Sequence, residues 1–184
     1  SMAFDGSVNV EQLDGRAVVY LQTYATAEKN VCRNLMHLHQ AQLKAITSQV
    51  DELIAVAEHE TGIFLSENQK QAVKSSLSSG ICVITGGPGT GKTTIINTIM
   101  RLFSHSGFST AIAAPTGRAA KRITETSGFS ASTIHRLLDY YYSEGEDSMR
   151  FGKNAEDPLE YDAVIIDEAS MVDILLMNAL LAAI

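Results

Sequence analysis

Residues 86–93, Gly86-Gly87-Pro88-Gly89-Thr90-Gly91-Lys92-Thr93, place glycines, a lysine and a hydroxyl at the spacing G-x-x-x-x-G-K-[ST]. That spacing suits the binding of a polyphosphate. Glycine opens backbone angles closed to other residues and lets amide groups approach an anion with no Cβ in the way. Lys92 would reach the β- and γ-phosphates and the Thr93 hydroxyl would ligate Mg²⁺, with Gly87, Pro88, Gly89, Thr90, Gly91 and Thr94 completing the cradle at a helix N-terminus. A second set of groups, Asp167 and Glu168, ends the apolar run Ala163-Val164-Ile165-Ile166. Two adjacent carboxylates there are costly without a cation or a water to act on. Asp167 is therefore assigned to Mg²⁺, mostly through water, and Glu168 to positioning and deprotonating an attacking water.

These groups need particular elements to hold them. Ile81-Cys82-Val83-Ile84-Thr85 is β-branched and reads as a buried strand, and apolar residues at helical spacing follow Gly91, so the order is strand, glycine loop, helix. Ser109 to Ala114 reads as a second core strand, which makes a βαβ unit with parallel strands. Pro115 to Arg118 breaks it, Ala119 to Thr126 restarts as a helix, and Thr116 and Arg118 thus emerge at a strand's carboxyl end, where open α/β sheets bind ligands. A short helix is expected from Ser132 to Tyr140, an exposed loop or hairpin from Ser143 to Glu160, and a strand buried on both faces before Asp167. An amphipathic helix is expected from Asp173 to Ile184; with no cap closing it, a truncated lobe is the expectation.

Upstream, Asp5-Gly6 and Asp14-Gly15 read as turns, Arg16 to Leu21 as a strand, and Thr26 to Ile46 and Ser48 to His59 as helices, the second followed by Gly62. His37-Leu38-His39 resembles a metal-holding triplet, but in a helix residues two apart point about 200° apart, which favours two surface histidines. Ser66 and Gln69 fit a capping box that opens a new domain, giving a division into 1–64, mainly helical, and 65–184.

The chain has 184 residues, 45 % of them apolar, and a formal net charge of -7. That average hides a division: from Gly86 to Leu138 the basic residues Lys92, Arg101, Arg118, Lys121, Arg122 and Arg136 face Glu125 alone. The chemistry-bearing stretch is the basic one, as an anion site beside a polyanion requires. Cys32 and Cys82 read as reduced, buried thiols of a cytoplasmic protein, and neither a signal peptide nor an apolar run of membrane-spanning length is visible.

Four motifs together resemble those of RecD/TraA-type superfamily 1 DNA helicases: Gly86 to Thr93, Ala114-Pro115-Thr116-Gly117-Arg118-Ala119-Ala120-Lys121-Arg122, Thr133-Ile134-His135-Arg136-Leu137-Leu138, and Ile165-Ile166-Asp167-Glu168-Ala169-Ser170-Met171-Val172-Asp173. The resemblance covers 65–184 well and reaches weakly back to Arg16. It implies a RecA-like α/β lobe of an ATP-driven 5′ to 3′ translocase on single-stranded DNA, with partners in a recombination or repair complex. It matches Gln69 to the family glutamine that reads the adenine edge, and Thr116, Arg118 and His135 to DNA-backbone contacts. It also implies a third motif and a second lobe that this sequence does not contain, so the chain alone is expected to hydrolyse ATP slowly and not to unwind DNA. A different P-loop enzyme, such as a kinase, would leave the second and third motifs without an account. A motor lobe from a relaxase–helicase fusion would place nicking on another domain, and a non-catalytic interaction module is opposed by the intact Lys92, Thr93, Asp167 and Glu168.

Overall fold

A computed structural model of the chain describes residues 6–41, 49–143 and 148–184. At its centre is a three-stranded parallel sheet in the order β4-β3-β7, built from β3 (Thr110–Ala114), β4 (Ala131–Thr133) and β7 (Ala163–Ile166). The register pairs Ala114 with Thr133 and Ala113 with Ile166, so all three strands end at one edge. Side chains alternate across the sheet with the period of two that a strand imposes. Ile112 and Ala114 pack beneath α4 (Lys92–His105) and α5 (Gly117–Ser127), meeting Met100, Ala119, Ala120 and Ile123. Ala113 faces the other way, toward Ile134 of the single-turn α6 (Ile134–Leu137) and Leu176 and Leu180 of α7 (Ile174–Ala182). Helices on both faces of a parallel sheet define the α/β class expected from the sequence.

The segment before residue 65 joins this core. β1 (Val8–Leu13) and β2 (Arg16–Leu21) form an antiparallel hairpin whose turn, Asp14 at φ 49° and Gly15 at φ 75°, matches the right-handed strand twist. Of the hairpin, the Asp14-Gly15 turn and β2 were expected and β1 was not. α1 (Gln22–Gln40) then packs on α7, where Asn34 Nδ2 donates to the Leu181 carbonyl at 3.3 Å. α2 (Val50–Thr61) contributes Ile54 and Ala57 to the same apolar cluster as Val73 and Leu77 of α3 (Glu67–Ser78) and Ile95, Ile99 and Leu102 of α4. Ion pairs from Asp51 to Lys74 and from Glu60 to Arg101 fringe that contact. At this exposure they contribute at most about 1 kcal/mol each, so apolar burial holds the segment on.

Several expectations are corrected. Residues 81–85 form no ladder with any described strand, and Val83 is 80 % exposed, so the run is not a buried strand. Ile84 packs on the cluster that also receives Ile165. For the same reason β7 is half-buried along its length rather than buried on both faces: β3 pairs with one edge and no described strand with the other. Both cysteines are exposed rather than buried; partial cover still pushes the Cys82 thiol pKa up. The helix expected from Ser132 to Tyr140 divides instead into β4 and α6, ended by Asp139 at φ 50° before the extended Tyr140 run begins β5 (Tyr140–Ser143). β5 pairs with β6 (Ser148–Phe151), giving the hairpin alternative for this stretch.

The two long N-terminal helices shift at their ends: α1 starts at Gln22, and the expected helical stretch over 42–48 lies outside the described residues, as does Asp5 of the first expected turn. His37 and His39 sit in α1, exposed, as two surface histidines. α7 is apolar around nearly its whole girth, with Asn178 its one polar residue, because α1 covers the side that would otherwise meet water. Ile54→Ala is expected to destabilise the whole chain by about 2–5 kcal/mol, since the cavity opens between α2 and α4. Urea unfolding should show one transition at lower midpoint; loss of α2 alone, with α3 and α4 melting as before, would contradict a shared core.

Candidate nucleotide-binding site

The glycine loop leads into α4, whose N-cap Gly91 has φ 84°. Its lysine lies back along the loop, Lys92 Nζ donating to the carbonyls of Gly86 at 2.6 Å and Gly87 at 2.7 Å. An ammonium has three protons, so a further one remains for an anion. The Thr90 hydroxyl donates to the Gly87 carbonyl at 2.9 Å and closes the turn. A Cβ on Gly86 would stand 2.5 Å from Thr90 Oγ1, which explains a glycine there by close approach. Thr93 and Thr94 occupy the first turn of α4, half-buried, where amide groups not used within the helix point outward.

Gln69 is the link the sequence left open between two roles. Its Oε1 accepts from Ser66 N at 2.9 Å while Ser66 Oγ accepts from Gln69 N at 3.4 Å, so the capping box at the start of α3 is complete. Its Nε2 donates to the Thr90 carbonyl at 3.1 Å, which reaches the glycine loop itself. A Cβ on Gly91 would collide with that same nitrogen. The side chain therefore caps and touches the loop together. An amide oxygen accepts two hydrogen bonds and an amide nitrogen donates two, so each end keeps one more for a base edge.

Beyond the carboxyl ends of the sheet lie three loops. After β7, the Asp167 amide still donates to the Ala113 carbonyl at 3.0 Å, while Asp167 Oδ1 accepts from Glu168 N at 2.9 Å. Glu168 takes φ 55°, a left-handed backbone that costs a non-glycine residue about 1–3 kcal/mol. After β3, the Thr116 hydroxyl accepts from Ala119 N at 3.2 Å as the N-cap of α5, and Arg118 is exposed in the first turn. After β4, Thr133 caps α6 and His135 is half-buried, its ring edge-on to Tyr140 at 5.1 Å and near Phe151 at 6.0 Å. The sheet thus brings Thr116, Arg118, His135, Asp167 and Glu168 to one edge. Among the described residues no hydrogen bond joins Lys92 or Thr93 to either acid.

Among the described residues no cluster of three or more His, Cys, Asp or Glu could hold a metal ion. Mg²⁺ keeps several waters and shares phosphate oxygens with one or two protein ligands, and Thr93 and Asp167 could serve as those ligands. Two features escaped the sequence reading. Tyr140, Tyr141 and Tyr142 are all exposed on β5, a signal visible as a tyrosine triplet. Glu58 is a buried acid in α2, and an acid in an amphipathic helix gives no such signal.

The glycine loop before α4, the parallel sheet and the paired acids at its carboxyl edge define a P-loop α/β nucleotide-binding fold. Residues 69–184 match the family model described as AAA domain, and the chain belongs to that family. Over 190 residues it is 32 % identical to the RecBCD enzyme subunit RecD of Mycolicibacterium smegmatis, covering 91 % of this chain and 32 % of that protein. The ATP-dependent RecD2 DNA helicase of Deinococcus radiodurans is 41 % identical over 120 residues, 65 % of this chain and 16 % of that one. RecD of Mycobacterium tuberculosis H37Rv is 30 % identical over 190 residues, 91 % of this chain and 31 % of its own. The RecD-type resemblance read from the motifs is borne out by these relatives, of which the chain spans a third or less.

Gly91→Ala is expected to weaken Mg·ATP binding by about tenfold or more, because the added methyl displaces Gln69 from the loop. Gly107→Ala, at φ 74° with no neighbour within 4 Å, serves as the control for backbone strain and should leave the dissociation constant unchanged by calorimetry.

Proposed function

We propose that the chain is the ATP-binding motor lobe of a 5′ to 3′ DNA helicase, coupling Mg·ATP hydrolysis to movement on single-stranded DNA. One observation carries most of this reading: the strands before Asp167 and Glu168, before Thr116 and Arg118, and before His135 all end at a single sheet edge. Residues 65–184 would be the RecA-like lobe, although α2 from the preceding segment shares its core. Relatives named RecD and RecD2 DNA helicase support the class.

Lys92 would leave its loop carbonyls to neutralise the β- and γ-phosphates, and Gln69 would present its amide to the adenine edge, favouring ATP over GTP. Mg²⁺, held by Thr93 and through water by Asp167, would supply charge neutralisation at the leaving phosphate oxygens. Glu168 would orient the attacking water and accept its proton. Thr116, Arg118 and His135 would meet the sugar-phosphate backbone, which positions a strand without reading its sequence. The exposed faces of Tyr141 and Tyr142 would add sequence-tolerant stacking.

Among the described residues no helix is long and apolar enough to cross a membrane; we place the protein in the cytoplasm, with recombination or repair proteins as partners. With relatives about three times as long, the 184-residue chain should turn ATP over slowly and not unwind a duplex. Slow turnover raised by oligo-dT and abolished by Lys92→Ala is the expected result, with Arg118→Ala weakening oligo-dT binding and its salt dependence. Turnover indifferent to single-stranded DNA would instead favour another P-loop enzyme.

A further inference from the structure

Glu58 is an acid the proposed chemistry does not use, yet it is only 8 % exposed, in the last turn of α2. Burying a carboxylate is costly unless it is hydrogen-bonded and paired. Here one oxygen does both: Glu58 Oε1 accepts from Leu65 N at 2.7 Å and lies 3.3 Å from Lys70 Nζ. Leu65 N belongs to the connector between α2 and α3, and Lys70 to the first turns of α3. The carboxylate therefore clasps that connector from both sides of Ser66.

Ser66 is the N-cap of the helix whose Gln69 reaches the glycine loop. The contacts run in series: Glu58 holds Leu65 and Lys70; Ser66 and Gln69 hold each other; Gln69 Nε2 holds the Thr90 carbonyl; and the Thr90 hydroxyl holds Gly87. Gly62 at φ 67° ends α2, its amide donating to the Glu58 backbone carbonyl at 2.9 Å, so the chain turns toward Leu65 directly after the turn that carries Glu58. We infer that Glu58 is a positioning residue for the nucleotide site, ordering the glycine loop from the N-terminal segment through Ser66 and Gln69 without touching the nucleotide. A loop held in its binding shape beforehand spends less of the binding free energy on ordering. The segment before residue 65 thereby sets nucleotide affinity, so whatever displaces α2 would be felt at the loop.

This inference rests on nucleotide binding at the glycine loop, and the test separates the two. Calorimetry of Mg·ADP with the 184-residue chain is the readout. Glu58→Ala should raise Kd by about tenfold, while Glu58→Gln, which keeps an acceptor for Leu65 N, should recover a large part of that loss. In the Glu58→Ala, Gln69→Ala double variant the losses should not add, because one path carries both. Leu180→Ala, a cavity in the separate cluster beneath α7, controls for destabilisation and should leave Kd unchanged. Wild-type affinity in Glu58→Ala, fully additive losses, or an equal loss in Leu180→Ala would each overturn the inference. Absence of Mg·ADP binding by the wild-type chain would overturn the reading of the site, and this inference with it.

Discussion

The parallel pairing of β3 with β4 on one side and β7 on the other is the constraint on which the arrangement depends. Because Ala114 lies opposite Thr133 and Ala113 opposite Ile166, the loops that follow cannot leave at different heights. A slip of one residue would also turn Ala113 from the α6 and α7 side to the α4 and α5 side, exchanging two different cores. The acids, the α5 N-terminus and His135 therefore share an edge by register and not by direct bonds to one another. The backbone strain at Glu168 is affordable because Asp167 remains stitched to β3 and the following 3₁₀ turn is closed by Met171 N on the Glu168 carbonyl at 3.0 Å.

The glycine loop is held differently. Its preceding run 81–85 has no ladder among the described residues, so its position comes from α4 behind it, Ile84 beneath it and Gln69 beside it. That places weight on the helical layer of α2, α3 and α4, whose common cluster includes Ile54, Val73 and Ile99. A segment that looks like an appendage in the sequence is thus part of the support of the site. Fully burying an aliphatic side chain such as Ile54 contributes about 1.5–3 kcal/mol, well above the fringing ion pairs.

What could be read from the sequence follows from how local each signal is. The glycine loop, the capping box at Ser66, the turn at Asp14-Gly15 and the β3 strand rest on residues within a few positions of one another, and each appears in the structure. The failures need distant partners. Ile81 to Thr85 has the composition of a buried strand, but burial depends on neighbouring strands, and no described strand pairs with the run, which leaves Val83 exposed. β4 is three residues long, too short for periodicity, and exists because β3 offers an edge. Thr116 was read for its chemistry and is also a helix cap, a role that its spacing to Ala119 could have exposed. Nothing local marks Glu58, since its partners, Leu65 N and Lys70, lie across a turn whose path the sequence does not specify.

In the proposed function Gly86 to Thr94 and the acids after β7 together form one site for a magnesium nucleotide. Amide hydrogen exchange of the 184-residue chain with and without Mg·ADP tests it most directly. Slowed exchange is expected in two separate stretches, the loop and first turn of α4 and the turn at residues 167–171, with the β1–β2 hairpin unchanged. Protection confined to the loop, or spread evenly over the chain, would contradict a site shared between the two.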